Sequence, residues 1–222
     1  MTKVTIFNAP PRTGKGEACK HLCKVFSSQN PAHMEFKDEL FKVAASILEI
    51  SVEEFLDGYD LTLKEYYKDD TLSLNYALMD AKGDEASWIK DLPVYEIDGK
   101  VYSKREWLIH VSENVIKPSF GKDAFGKMFA NNIPEEGFVF CSDGGFKEEI
   151  QAVIDKVGAD NVLIVQIERE GCNFDNDSRT LLSPEDFDNK ILFLNVANNS
   201  SISEFKLRTE ILVKCWLGVD NL

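Results

Sequence analysis

Polar and apolar positions follow two periods along this chain. Short, largely apolar runs stand at "VTIF" (4–7), "FVFC" (138–141), "VLIVQI" (162–167) and "ILFLNV" (191–196). Runs this short, without alternation, predict strands buried on both faces, as in a parallel sheet covered by helices. Helical spacing takes over after the first, where Ala18, Leu22, Val25 and Phe26 recur, and after the second, where Ile150, Val153, Ile154 and Val157 recur until Gly158 stops them. A last helix begins near Ser201, whose spacing to Glu204 is that of a capping box, and uses Phe205, Leu212 and Trp216. Strand and helix in alternation predict an α/β fold: a three-layer core with a parallel sheet.

The stretch 31–134 breaks this rhythm. Helices are predicted at 38–49, at 52–57 behind a Ser51 to Glu54 box, and at 104–116 behind a Ser103 to Glu106 box, with Pro118 ending the last. Between them "VYEIDGKVY" (94–102) predicts a β-hairpin, because Asp98-Gly99 suits the positive φ angles of a type I′ turn. "GYDLTLKEYYKDD" (58–70) is expected to be a mobile surface segment. The chain thus reads as one domain, with a core from 1–30 and 135–222 and an insertion at 31–134.

Composition narrows the function classes. The 222 residues suffice for one substantial core, and 28% charged residues fit a soluble globular protein. The formal net charge of −13 argues against a nucleic-acid coat, which needs a basic face, yet leaves room for a small phosphorylated ligand held by a few converging cations. No leader pattern opens the chain and no apolar run is long enough to span a bilayer, so the cytoplasm is the expected compartment and no membrane partner is expected. Five cysteines (19, 23, 141, 172, 215) suit reduced thiols; Cys19 and Cys23 lack a second ligand pair at zinc-site spacing. Dimerisation is left open.

Candidate chemistry concentrates where the first strand meets the first helix, at "APPRTGKG" (9–16). A Walker A loop needs glycines so that backbone N–H groups can surround phosphate oxygens, a lysine that reaches the β and γ phosphates, and a hydroxyl for magnesium. Gly14 and Lys15 meet the first two demands; Ala9 stands at the first glycine position and Gly16 at the usual Ser/Thr position. At the end of the second strand, Asp143 either orients magnesium through water or, with Ser142, caps the helix that begins near Phe146. Glu148 and Glu149 suit the acidic first turn of that helix.

The loop resembles that of adenylate kinases and, more closely, of phage deoxynucleoside monophosphate kinases. Further blocks extend the resemblance: "FKDELFKVA" (36–44) is similar to their monophosphate-site helix, "SKREWLIHVSENVIKPSFGKDAFGKMF" (103–129) to their Arg-containing helix and Phe-Gly segment, "FCSDGGFKEEI" (140–150) to the strand ending in an acid, and "IEREGCNFDNDSRTLL" (167–182) to their short lid. Two departures stand out: Glu17 where adenylate kinases carry Thr, and Gly145 where members often carry Arg, a phosphate contact that is either lost or moved to Arg179.

The resemblance implies a P-loop kinase core with a helical acceptor-binding insertion and a lid at 168–185. It implies transfer of the ATP γ-phosphoryl group to a nucleoside or deoxynucleoside monophosphate, with magnesium, serving nucleotide supply in phage replication in the host cytoplasm. Lys15, Arg169, Arg179 and Asp143 are then the catalytic group, with Asp177 orienting Arg179, and Arg12, Thr13, Gly14, Lys15, Gly16 and Glu17 the donor loop. Asp143, through water, and the Thr13 hydroxyl are the metal candidates. Phe36, Lys37, Arg105, Lys117 and Phe120 are the acceptor candidates; Arg105 and Lys117, a little over three helical turns apart, would flank one cleft. Two rival readings stay open: a P-loop protein that binds nucleotide without turnover, and a P-loop kinase for another small acceptor.

Overall fold

The computed structural model describes residues 2–56, 94–97, 99–175, 177–188 and 190–219. The 58–70 segment and Asp98 of the hairpin turn lie outside the described residues. In chain order the elements are β1 (Thr2–Asn8), α1 (Lys15–Val25), β2 (Ala32–Met34), α2 (Phe36–Ile47), α3 (Val52–Leu56), β3 (Val94–Ile97), β4 (Lys100–Ser103), α4 (Lys104–His110), α5 (Lys117–Phe120), α6 (Ala124–Asn131), β5 (Gly137–Cys141), α7 (Lys147–Val157), β6 (Val162–Glu168), β7 (Leu192–Ala197) and α8 (Ile202–Leu217).

Five strands form an all-parallel sheet in the order β2-β5-β1-β6-β7. β1 lies at its centre, with Ile6 in register with Cys141 on one side and Ile164 on the other. Both faces of these strands are covered, and the core divides accordingly. Val4, Ile6, Val139, Cys141, Val162 and Ile164 pack with Phe129 of α6 and Ile150, Val153 and Ile154 of α7. Phe7, Phe140, Leu163, Val165 and Ile167 pack with Ala18, Cys19 and Leu22 of α1 and Phe205 and Val213 of α8. Two-residue alternation along each strand sorts the apolar side chains between two helical layers, which is why the runs look continuous in sequence. The fold class is therefore α/β with a helix-flanked parallel sheet.

Three details depart from the sequence expectation. β2 is an added edge strand, three residues long and too short for periodicity to reveal. β7 is the other edge, with Leu192 44% exposed, so its apolar run does not mark a fully buried strand. Ser201 caps α8 by accepting from the Glu204 N–H at 3.2 Å, but the Glu204 carboxylate pairs with Arg208 in the next turn.

The chain divides into two compact units, 1–39 with 122–222, and 40–121. The second is narrower than the expected 31–134 insertion, because β2 pairs with β5 and α6 packs on α7. Gly126 makes the latter contact so close that a Cβ there would stand 2.4 Å from the Glu149 carbonyl oxygen. Within the second unit, β3 and β4 form the expected antiparallel hairpin, and Ser103 and Glu106 complete a reciprocal capping box on α4. The Trp107 indole donates to the Ala44 carbonyl at 3.0 Å, and Phe41 packs near Phe55. Pro118 does not end this helix. A π turn at Val111–Ile116 precedes it, and the backbone runs on to Phe120; the wider turn accommodates a residue that would clash in a regular helix.

Candidate functional site

The sheet order changes direction at β1, whose chain leads to β2 and β5 on one side and β6 and β7 on the other. Such a switch point opens a crevice beyond the carboxyl ends of the strands, where helix N-termini also point. Asn8 ends β1 there, and the 9–14 loop leads into α1.

The loop is held tightly by its own residues. Arg12 and Gly14 both have positive φ, 65° and 102°. A Cβ on Gly14 would also meet Asn198 Nδ2 at 2.9 Å and the Phe205 ring at 3.2 Å, so glycine is required for space as well as conformation. Thr13 is fully buried and its hydroxyl donates to the Pro10 carbonyl at 2.9 Å, while Asn198 donates to the Thr13 carbonyl at 2.7 Å. Gly16 differs: its φ is not positive and a Cβ would meet nothing within 4 Å.

Lys15 begins α1 and is only 9% exposed. Its ammonium curls back over the loop, donating to the carbonyls of Ala9 at 2.7 Å and Pro10 at 2.6 Å. Burial, followed by the positive charge of Arg179, brings its pKa down to about 8, against the opposing pull of Asp177, Asp143 and Cys172. Lys15 is thus a partly desolvated cation within electrostatic reach of a second one.

Arg179 is fixed from several directions. Asp177 accepts from Arg179 Nε at 2.9 Å and Nη2 at 2.7 Å, the orienting contact expected from the "DSR" triplet. Burial alone would raise the Asp177 carboxyl, but the hydrogen bonds and charge of Arg179 outweigh it and hold the pKa at about 2. Asn8, fully buried, ties down the segment that follows: its amide donates to the carbonyls of Gly144 (3.2 Å) and Thr180 (2.9 Å) and accepts from the Leu182 N–H (2.9 Å) and Gln166 Nε2 (3.2 Å). Gln166 also donates to the Leu182 carbonyl at 2.6 Å. Arg169 donates to the Arg12 carbonyl at 2.7 Å, joining the start of the expected lid to the loop.

Asp143 serves the scaffold. Its two oxygens accept from the backbone N–H groups of Phe36 at 2.9 Å and Lys37 at 3.1 Å. It therefore caps α2 across the sheet end, whereas α7, with Phe146 at its N-cap position, has no side-chain cap. Phe36 is 3% exposed with its ring 4.4 Å from that of Phe129, which makes it core rather than an open face for a base. Lys37 pairs with Glu35 at 2.9 Å; burial would lower its pKa, but Glu35 outweighs burial and raises it. Glu35 also accepts from the Ser142 hydroxyl, and His33 Nε2 lies 3.1 Å from Ser142 Oγ.

Glu17 lies on α1, paired with Lys206 at 3.1 Å. The remaining acceptor candidates belong to the second unit. Arg105 is half-buried in the first turn of α4, Lys117 pairs with Glu113 one turn back, and Phe120 is 64% exposed.

Among the described residues, the metal candidates do not form a set of direct magnesium ligands. The Thr13 hydroxyl is buried against Pro10, both Asp143 oxygens cap α2, and among the described residues no three His, Cys, Asp or Glu side chains converge. Nor is any helix among the described residues long and apolar enough to cross a membrane.

Sequence reasoning missed Asn8 and Gln166, although each shows a signal: a polar residue inside or closing an apolar strand must find partners once buried. It also missed Asn198, whose partner Thr13 lies 185 residues away, and Glu35, which joins Lys37 two residues on to Ser142 107 residues on. No family model matches the chain, and no curated protein sequence matches it.

Proposed function

We propose that the chain is a P-loop kinase that transfers the γ-phosphoryl group of ATP to a nucleoside or deoxynucleoside monophosphate, giving ADP and the diphosphate. The observation that carries this reading is the buried Lys15 ammonium folded onto the loop carbonyls at the carboxyl end of the central strand, near enough to Arg179 for that charge to lower its pKa. A desolvated ammonium that Arg179 depresses further costs stability, and a polyphosphate at the N-terminus of α1 offsets that cost. Gly16 supports the same reading: helical glycine costs about 1 kcal/mol relative to alanine, and no neighbouring group demands it, which leaves room for phosphate to approach the backbone.

Phosphoryl transfer asks a protein chiefly for positioning and charge neutralisation. Lys15 leaves the Ala9 and Pro10 carbonyls for the donor phosphates, the loop N–H groups surround them, and Arg179, aimed by Asp177, meets charge on the group in transit. Arg12 and Arg169 lie at the loop's outer edge for the donor. Magnesium arrives on ATP, bound by its phosphates and water. Arg105, Lys117 and Phe120 are assigned to the acceptor by the family resemblance alone, as is nucleotide supply in phage replication.

A second reading, nucleotide binding without turnover, is favoured by Asp143, both of whose oxygens are engaged in capping. Incubation with magnesium and ATP over a panel of ribo- and deoxyribonucleoside monophosphates, beside Lys15→Ala, separates the two. Diphosphate formation abolished by the substitution is the expected result. ATP bound with no diphosphate formed at high enzyme concentration supports the second reading, and turnover only with a non-nucleotide acceptor overturns the choice of substrate.

A further inference from the structure

The geometry points to Gly145 as a positioning residue: its missing side chain is the clearance through which Arg179 reaches the Lys15 loop. A Cβ built on Gly145 stands 2.5 Å from Arg179 Cγ and 2.6 Å from its Cβ and Cδ, and these are its three nearest neighbours. Non-bonded carbons rest at about 3.5–4.0 Å, so any side chain at 145 displaces the arginine stem. Conformation makes no such demand, because the φ of Gly145 is not positive. Its neighbour Gly144 has a different task, since a Cβ there would strike Ile6 Cγ2 at 2.3 Å, against the central strand.

The arginine has little room to yield. Asp177 grips its guanidinium through two hydrogen bonds and its backbone N–H through a third at 3.0 Å. Asn8 and Gln166 hold Thr180 and Leu182 to the end of the sheet, and Asn8 holds the Gly144 carbonyl as well. One buried amide therefore sets the spacing between the segment that carries Arg179 and the loop over which it lies. A methyl group at 145 must either pull Arg179 from Asp177 or break the Asn8 tether. On the kinase reading, on which this use of Arg179 rests, the site supplies its transfer-stage guanidinium from the lid segment because the β5–α7 loop leaves space for it.

The test uses Lys15 as a reporter in the nucleotide-free protein. Arg179 lowers the Lys15 pKa, while Asp177, Asp143 and Cys172 raise it. Competitive acetylation with acetic anhydride from pH 6 to 11, read by mass spectrometry, gives the Lys15 midpoint, expected at about 8 in the natural chain. Gly145→Ala is expected to move the midpoint upward. Arg179→Gly moves it upward too, and Gly145→Ala added to Arg179→Gly moves it no further. A Gly145→Ala midpoint that stays where it was, or a shift that adds to that of Arg179→Gly, overturns the inference. If Gly145→Ala does not fold, the double variant is expected to fold, because the obstructing atoms are gone; a double variant that also fails to fold overturns the inference. The monophosphate panel is a separate arm. No diphosphate with the acetylation pattern intact removes the kinase reading and keeps the clearance, whereas turnover with an unmoved midpoint does the reverse.

Discussion

β1 and β5 are neighbouring parallel strands, and the loops that leave them reach the same end of the sheet with opposite contents. The loop after β1 ends in Lys15, a buried cation turned onto its own backbone and lowered in pKa by its surroundings. The loop after β5 holds Asp143, whose carboxylate is taken up by two helix N–H groups, and two glycines whose absent side chains make room for Ile6 and Arg179. The first holds a desolvated ammonium whose pKa burial and Arg179 bring down to about 8. The second spends its residues on the scaffold that holds that arrangement in place.

Substitutions that break this contrast should differ in sign. Gly14→Ala has the largest expected effect, a loss of about 2–4 kcal/mol in denaturant unfolding, since the methyl meets Asn198 and Phe205 in a backbone region that L-residues avoid. Asp143→Ala should cost about 1–3 kcal/mol by leaving the first N–H groups of α2 without their partner, and by the same amount whether ATP is present or not. Lys15→Met should raise stability by about 1–3 kcal/mol near pH 7, because it removes a desolvated charge that sits beside Arg179, while ATP binding is lost. Equal destabilisation by the last two would erase the distinction between the loops.

Acid unfolding sharpens the comparison further. The Asp177 pKa in the folded chain, about 2, lies below the ordinary 3.8, so its pairing with Arg179 contributes above the ordinary value and is lost as pH falls through the folded one. Between pH 4 and 2 the natural chain should lose about 1–2 kcal/mol that Asp177→Asn does not lose; identical acid profiles would count against the clamp. The smallest effect is expected at Gly16. Gly16→Ala should stabilise by about 0.5–1 kcal/mol through helix propensity and weaken ATP binding, where Gly14→Ala destabilises, although the two glycines flank the same lysine.

Much of the scaffold was legible because it rests on local pattern. The apolar runs marked β1, β5, β6 and β7, and helical spacing marked α1, α7 and α8. β2 was hidden by its length, and the course of the chain through Pro118 depends on a π turn with no signature in composition. At the site, Gly14 and Lys15 were readable from spacing, and the Asp177–Arg179 pair from a triplet. Asp143 was readable as a cap or an acid at a strand end, but the helix it caps starts 107 residues earlier in the chain, a pairing made only by the order of strands in the sheet. The reason for Gly145 was equally out of reach, since its obstructing neighbour Arg179 belongs to the segment that follows β6 in the chain.

The central claim is that Lys15 and Arg179 wait for a polyphosphate, and proton uptake tests it most directly. Calorimetric titration of ATP at pH 8 in two buffers of different ionisation enthalpy gives the number of protons taken up on binding. Lys15, with a pKa of about 8, is half protonated at that pH, and neighbouring phosphates raise its pKa. The account predicts uptake of about half a proton per ATP bound, absent in Lys15→Met. Binding with no proton uptake, or binding that survives Lys15→Met unchanged, would contradict it.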